Sequence, residues 1–379
     1  MYSLDQFASM FSDKLRMEAY TAAIARAVKP NDSVVDLGCG PGIFAMLACK
    51  AGARRVYAID MNAVVDFGRH LATVNGCADK IHFLKGDSRQ IHLPERVNVV
   101  VADVRGVVPL FSHAIDTLED ARNRFLIEGG RILPARDTLM AAIVSLPDQY
   151  ELLSRAWKAV PGLELSSGLP IVLNAIYRHH LKPNNVLSQV RPWHVIDYTA
   201  GAKISAQAQL ELPIPDNAIG HGVAVWFETS LMDGIGYTTK PQNGDTVYGH
   251  LFLPWLEPVA LREGDICTVD LRANLVGNDY IWQWITAIPA TPDRKEIRFQ
   301  QSTFYGSLFP PSLLRKRTMD FVPVLNESGL AERWLLQAMD GERNLENIAE
   351  EAVRLFPHVF RRSEDAFRQA AEIAEKYSR

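Results

Sequence analysis

Between residues 34 and 44 the chain reads Val34-Val35-Asp36-Leu37-Gly38-Cys39-Gly40-Pro41-Gly42-Ile43-Phe44. A buried strand here runs into a glycine turn that opens a helix. Glycine lacks a Cβ, so Gly38, Gly40 and Gly42 let the backbone bend sharply and approach a ligand, and the helix start offers unpaired N–H groups. A second apolar run, Arg55-Val56-Tyr57-Ala58-Ile59, ends in Asp60, whose carboxylate is placed to accept both hydroxyls of a ribose. Together these features describe a site for a nucleoside-bearing ligand. A dinucleotide fingerprint needs its third glycine at position 43, which is Ile43, so the spacing disfavours a nicotinamide dinucleotide. Asp36 either caps the turn or, at the carboxyl end of its strand, meets a charged group of the ligand. Cys39 reads as a small filler.

These residues need a scaffold, and the first third of the chain supplies one. Apolar positions at helical spacing (Leu15, Ala19, Ala22, Ala23, Ala27) predict one or two helices over residues 4–28, before the turn Pro30-Asn31-Asp32. Strands at 34–37, 55–59 and 81–84 and the run Val97-Asn98-Val99-Val100-Val101-Ala102 alternate with helices ending near Ala51 and Val74. Near-continuous β-branched runs mean strands buried on both faces, as in a parallel sheet. From about residue 137 short alternating strands (138–144, 206–212, 222–227, 266–271) predict an antiparallel β domain, interrupted by an excursion over 150–190. After about residue 290 helical patterns headed by Pro310-Pro311 mark a third module.

Composition fits an enzyme of two or three domains: 379 residues with 47% hydrophobic content bury a large core. A net charge of −4 and a pI near 6.2 argue against a nucleic-acid-wrapping surface or a basic membrane anchor, and the run Arg315-Lys316-Arg317 reads as a solvated face. Four widely spaced cysteines with no CxxC pair suggest neither a zinc site nor a disulfide framework, and the expectation is a reducing cytoplasm and no metal. No signal peptide or run of about 18 apolar residues is read.

The glycine turn resembles motif I of class I S-adenosylmethionine methyltransferases, and residues 1–290 resemble the protein arginine methyltransferases more specifically. The segments that carry the likeness are Met10-Phe11-Ser12-Asp13-Lys14-Leu15-Arg16, Ala51-Gly52-Ala53-Arg54-Arg55-Val56-Tyr57-Ala58 and Gly222-Val223-Ala224-Val225-Trp226-Phe227. The resemblance implies a Rossmann-like cofactor domain (1–136), a β-barrel substrate domain (137–290) with a helical dimerisation arm near 150–190, and hence a homodimer. It also implies that Arg16 pairs with the carboxylate of S-adenosylmethionine, Asp60 holds the ribose, and Gly86, Asp87 and Ser88 lie against the adenine; the charged group that Asp36 would meet from its strand end is then the ammonium. The plain alternatives are a solvated helix charge for Arg16 and a turn former for Asp87.

The departures fall on the acceptor side. The family's loop after the fourth strand carries two glutamates that grip a guanidinium. Here Asp103 stands at the first glutamate's place, Ser112 at the second's, and Arg105 adds a positive charge. Counting back from Arg262 puts Thr246-Val247-Tyr248 where the family has a Thr-His-Trp loop, so Tyr248 joins Arg105 and Ser112 as a substrate-side candidate. The sulfonium carries its own leaving group, so transfer needs chiefly an aligned nucleophile. Asp103 is the first candidate to orient an amine or take its proton and His113 the second, with a turn cap and a plain helix residue as their alternatives.

Residues 310–379, with Asp340-Gly341 before an amphipathic helix, resemble the small PqqD-like winged helix, a leader-peptide recognition element in peptide-modifying enzymes; a helical cap is the alternative. The resulting expectation is N-methylation of a peptide, protein or amino-acid-like acceptor other than arginine, in a peptide natural-product pathway. A cofactor-binding regulatory protein and an arginine methyltransferase with an altered loop are the alternatives.

Overall fold

The computed structural model describes residues 3–378 apart from 158–159, 203, 245, 309–311, 313–314 and 317. Pro310, Pro311 and Arg317 therefore lie outside the described residues. The chain divides into two compact units, Met1–Ser307 and Leu308–Arg379.

The first unit begins with two helices, α1 (Leu4–Ser12) and α2 (Lys14–Ala27), split at Asp13, whose carboxylate caps α2 by accepting from Arg16 N. A five-stranded parallel sheet follows, built from β1 (Ser33–Leu37), β2 (Arg55–Asp60), β3 (Ile81–Lys85), β4 (Val97–Ala102) and β5 (Leu126–Leu133) in the order β3-β2-β1-β4-β5. Helices α3 (Ile43–Lys50), α4 (Val64–Val74) and α5 (Ala114–Arg124) connect them. All five residues of β1 are buried, as the unbroken Ser-Val-Val-Asp-Leu run requires of a central strand covered on both faces. Chain order reverses between β1 and β4, and at such a switch point the loops leaving the two strands part and open a crevice.

The antiparallel half comprises β6 (Arg136–Val144), β7 (Tyr177–His179), β8 (Arg191–Asp197), β9 (Ala206–Pro213), β10 (Ala218–Met232), β11 (Ile235–Thr238), β12 (His250–Leu261), β13 (Ile266–Val276), β14 (Asp279–Ile288) and β15 (Ile297–Ser302). One sheet runs β7-β12-β10-β6-β8 with β11 beside β10, and a second runs β15-β14-β13-β9. The main core takes in Trp255, Trp282 and Trp284, while Trp226 is buried on the other face of the first sheet with Leu146, Leu181 and Phe252. The sheet continues past residue 290, because β15 pairs with β14 through Ile297 and Phe299, where helix was expected.

The excursion carries α6 (Pro147–Arg155) and α7 (Leu169–Leu173) before β7 rejoins the sheet against β12. Leu173 of this excursion is buried, and Ile176 packs against the main core. Leu152 and Leu163 are exposed.

The second unit is a small bundle of α8 (Glu327–Ala338), α9 (Leu345–Leu355) and α10 (Ser363–Tyr377). Asn326 and Asn344 cap the first two by accepting from Gly329 N and Asn347 N. Ala331, Leu335, Ile348, Ala352, Phe360 and Ala366 form its core. No strand is assigned among its described residues, so the wing of a winged helix is not seen there.

Candidate active site

A cavity of about 970 Å³ opens at the carboxyl ends of β1, β2 and β4, within the range of ligand-binding sites. Gly38 and Gly40 form part of its wall with φ of 64° and 53°, a left-handed conformation that glycine adopts without strain. A Cβ on Gly40 would stand 2.6 Å from Phe7 Cε1, so this turn also lets α1 lie over the loop. Gly42 is left-handed as well, yet its Cβ position faces Phe83 and it is not among the lining residues. It shapes the helix start rather than the wall, a correction to its expected ligand contact.

Asp60, at the end of β2, accepts from Gly40 N and Asn62 N, each at 2.8 Å, one on each carboxylate oxygen. Each oxygen has capacity for a further hydrogen bond, and Asp60 lines the cavity. Asp87 and Ser88 line the same end; the Arg89 guanidinium hydrogen-bonded to Asp87 holds its carboxyl below the usual range. Asp36 does not reach the cavity. It is 1% exposed and its Oδ2 accepts from Ala45 N at 2.9 Å, which makes it the cap of α3 and corrects the expected contact with the ligand's ammonium. Burial pushes its carboxyl up to about 7, more than the Ala45 hydrogen bond lowers it. Among the described residues its Oδ1 has no hydrogen-bond partner.

Arg16 enters from α2 and lines the cavity, but its Nε donates to Asp103 Oδ2 at 2.6 Å and its Nη1 to Met10 O at 3.1 Å. The guanidinium lies over the Phe44 ring, 4.9 Å from its centroid. Among the described residues Nη2 donates to no protein group, so Arg16 keeps donors for an anion while anchored to Asp103.

At the acceptor end the charges are turned on one another. Asp103 Oδ2 also accepts from Tyr248 Oη at 2.6 Å, and Oδ1 accepts from Arg105 Nε at 3.1 Å. Burial pushes this carboxyl up, but the charges of Arg105 and Arg16 and the Tyr248 hydrogen bond outweigh it and hold it below the usual range. A carboxylate so held is a poor base, which weighs against Asp103 as the group that takes a proton. Arg105 is also not presented to a substrate: its side chain is 1% exposed, pairing with Asp137 Oδ1 at 2.8 Å. His113 lines the cavity at the start of α5, with its ring nitrogens 2.9 Å from Asp116 Oδ2 and 3.0 Å from Asn278 Oδ1. Hydrogen bonds to Asn278 and then Asp116 raise its pKa, because two acceptors favour the imidazolium, and this works against a base role. Ser112 lines the wall with φ of 45°, a strained value for serine.

Asp137, Thr229, Tyr20 and Tyr237 complete the cluster around Arg105 and were not read from the sequence as site residues. Asp137 left a signal: it is in phase with Leu139, Ala141 and Ile143 on the buried face of β6. The tyrosines left none, since they look like ordinary core aromatics.

Residues 18–134 match the family of ribosomal protein L11 methyltransferases (PrmA). The chain is 30% identical over 232 residues to a probable protein arginine N-methyltransferase 6 of Arabidopsis thaliana, which is 59% of this chain and 53% of that protein. It is 29% identical over 225 residues to protein arginine N-methyltransferase 1 of Saccharomyces cerevisiae, covering 58% of this chain and 64% of that one. The matches thus span between half and two thirds of these relatives. Among solved structures, the Trypanosoma brucei PRMT1 enzyme-prozyme complex with AdoHcy superposes with a TM-score of 0.73 at 19% identity, covering 80% of this chain and 98% of that one. Arabidopsis thaliana protein arginine methyltransferase 10 superposes with a TM-score of 0.70 at 20% identity, covering 79% and 97%. In sequence and in fold, the chain is protein-arginine-methyltransferase-like and has the class I methyltransferase architecture.

Proposed function

We propose that the chain is an S-adenosylmethionine-dependent methyltransferase acting on a nitrogen of a peptide, protein or amino-acid-like acceptor other than arginine. The cofactor supplies, when bound, a methyl group on a sulfonium that carries its own leaving group. Gly38 and Gly40 give it a wall without side chains, Asp60 takes the ribose hydroxyls, and Asp87 and Ser88 flank the base. Arg16 offers its remaining N–H groups to the carboxylate.

The observation that carries the acceptor reading is the occupancy of Asp103. Both its oxygens are bonded to the chain's own donors, Arg16, Tyr248 and Arg105, and the second glutamate's place is held by Ser112. A guanidinium entering the cavity would find the Asp103 carboxylate already paired with two guanidinium groups, those of Arg16 and Arg105, whereas a nucleophile arriving unprotonated needs no carboxylate. The same lack of a free base favours the alternative reading, a regulatory protein that keeps the cofactor without turnover. Calorimetry with S-adenosylhomocysteine tests the cofactor site, and radiolabelled methyl transfer across arginine, histidine, lysine and acidic peptides tests the acceptor. Absence of binding would overturn the whole reading, and preferred labelling of arginine would overturn the acceptor.

Two further parts of the proposal rest on other regions. A homodimer through the excursion is supported by exposed Leu152 and Leu163, apolar surface that a partner would cover. Leu152→Glu with Leu163→Glu should convert a dimer to monomers in light scattering; a monomeric wild type at micromolar concentration would refute it. The helical second unit is proposed to recognise a leader peptide in a natural-product pathway, on the resemblance of its Asp340-Gly341 turn and following helix.

A further inference from the structure

The surroundings of Arg105 form a complete guanidinium receptor. Each of its five N–H groups has an acceptor: Asp103 Oδ1 at 3.1 Å from Nε, Asp137 Oδ1 at 2.8 Å and Thr229 Oγ1 at 2.9 Å from Nη1, Tyr20 Oη at 2.8 Å and Tyr237 Oη at 2.7 Å from Nη2. Five donors in a rigid planar fork therefore meet five oxygens, two of them from carboxylates. Aromatic faces enclose the group, with the guanidinium carbon 5.0 Å from the Phe227 centroid and 5.8 Å from that of Tyr248. The oxygens are themselves fixed: Tyr20 donates to Ala102 O, Tyr198 donates to Asp137 Oδ2, and Tyr248 donates to Asp103 Oδ2. Asp103, Arg105 and Tyr248 also line the large cavity, so this recess adjoins the place where an acceptor would lie.

We propose that Arg105 is a tethered guanidinium that keeps this receptor filled from within and so determines acceptor specificity. With Arg105 in place, Asp103 and the tyrosines are closed to an arginine from outside. The residues that line the cavity include the apolar Val107, Leu251 and Trp282 and the cation Arg178. Uncharged or anionic molecules with apolar bodies suit such a wall; external guanidinium groups do not. The word acceptor rests on the methyltransferase reading, whereas the filled receptor stands on its own geometry.

The test is chemical replacement in the full chain. Arg105→Ala removes two methylenes and the guanidinium, the atoms of ethylguanidine. The variant should melt below the wild type, and millimolar ethylguanidine should restore most of that loss while leaving the wild type unmoved. N-ethylurea, which is uncharged, and ethylamine, which lacks the fork, should restore none; a merely space-filling role would let all three work. An unchanged melting temperature, no recovery, or equal recovery by all three would overturn the proposal. A second measurement needs no variant. Wild-type protein titrated with an arginine-containing peptide beside saturating S-adenosylhomocysteine should show no binding, and saturable micromolar binding would overturn the specificity role. Failure of S-adenosylhomocysteine itself to bind, with guanidinium-selective recovery in the variant, would instead refute the methyltransferase reading alone.

Discussion

The two ends of the cavity use charge in opposite ways. At the glycine-loop end, Asp60 is fixed by two backbone N–H groups, one on each oxygen, and lines the open space. At the other end, Asp103, Arg105 and Asp137 are taken up by one another, by Arg16 and by tyrosines, and only Arg16 keeps donors to spare. One end leaves its carboxylate bordering open space; the other clamps α2 and the β4 loop to β6, β10 and β11. A charged residue near a cavity is therefore weak grounds for a binding role until its partners are counted.

The sharpest way to break the clamped end is Asp137→Ala, which leaves Arg105 buried without its main counter-charge. Removing one partner of a buried pair costs about 3–5 kcal/mol. Urea unfolding should show a loss of that size, while S-adenosylhomocysteine binding to the folded variant stays close to wild type. A loss below about 1 kcal/mol would mean that water reaches the cluster and that the two ends are not so different.

At the open end, Asp60→Ala should leave the global fold standing and weaken S-adenosylhomocysteine binding by roughly 2–4 kcal/mol, at about 1–2 per hydroxyl hydrogen bond. Calorimetry on the folded variant decides it. Unchanged affinity would remove Asp60 from the ribose site and leave its carboxylate as a loop brace only.

How much of this was legible beforehand follows the same division. The parallel sheet was readable because Val34-Val35 and Val97–Ala102 are runs that only a doubly covered strand tolerates, and the glycine loop because left-handed turns select glycine. Asp60 was singled out by its place at a strand end, and the structure puts it on the cavity wall. The cluster was not, because its members lie at 16, 20, 103, 105, 137, 229, 237 and 248, and no local period joins them. Asp103 was found by likeness, but its partners, which decide what it can do, come from tertiary packing. Residues 297–302 misled because a short edge strand ahead of a helical unit shows too few alternations to betray its period.

A smaller perturbation sharpens the contrast through pH. Asp103 is held below the usual carboxylate range, so its contribution to stability is complete above the unfolded value of about 3.9 and is lost as pH falls through the folded value. Tyr248→Phe removes one of the hydrogen bonds that hold it there. A hydrogen bond to a charged group is worth about 1.5–3 kcal/mol, so the variant should be less stable at neutral pH by that order and unfold in acid at a higher pH than wild type. An acid midpoint unmoved or shifted downward would show that the two arginines alone hold the carboxylate.

The smallest effect is expected at His113, on the wall between the two ends. Its ring sits between two oxygen acceptors, and the hydrogen bonds to Asn278 and Asp116 raise its pKa, so its imidazolium contribution is present below the unfolded value of about 6.5 and is lost as pH rises through the folded value. An acceptor-deprotonating histidine would have to be neutral to act, giving a rate that climbs with pH through that value and a large loss on substitution. The geometry points the other way. His113→Gln can still hydrogen-bond, and it should change methyl transfer by less than about threefold, well short of the 10²-fold or more expected of a general base, and leave the pH profile unmoved. Loss of the alkaline rise together with a hundredfold drop would make His113 the base, and would place the working chemistry on the wall rather than at either end.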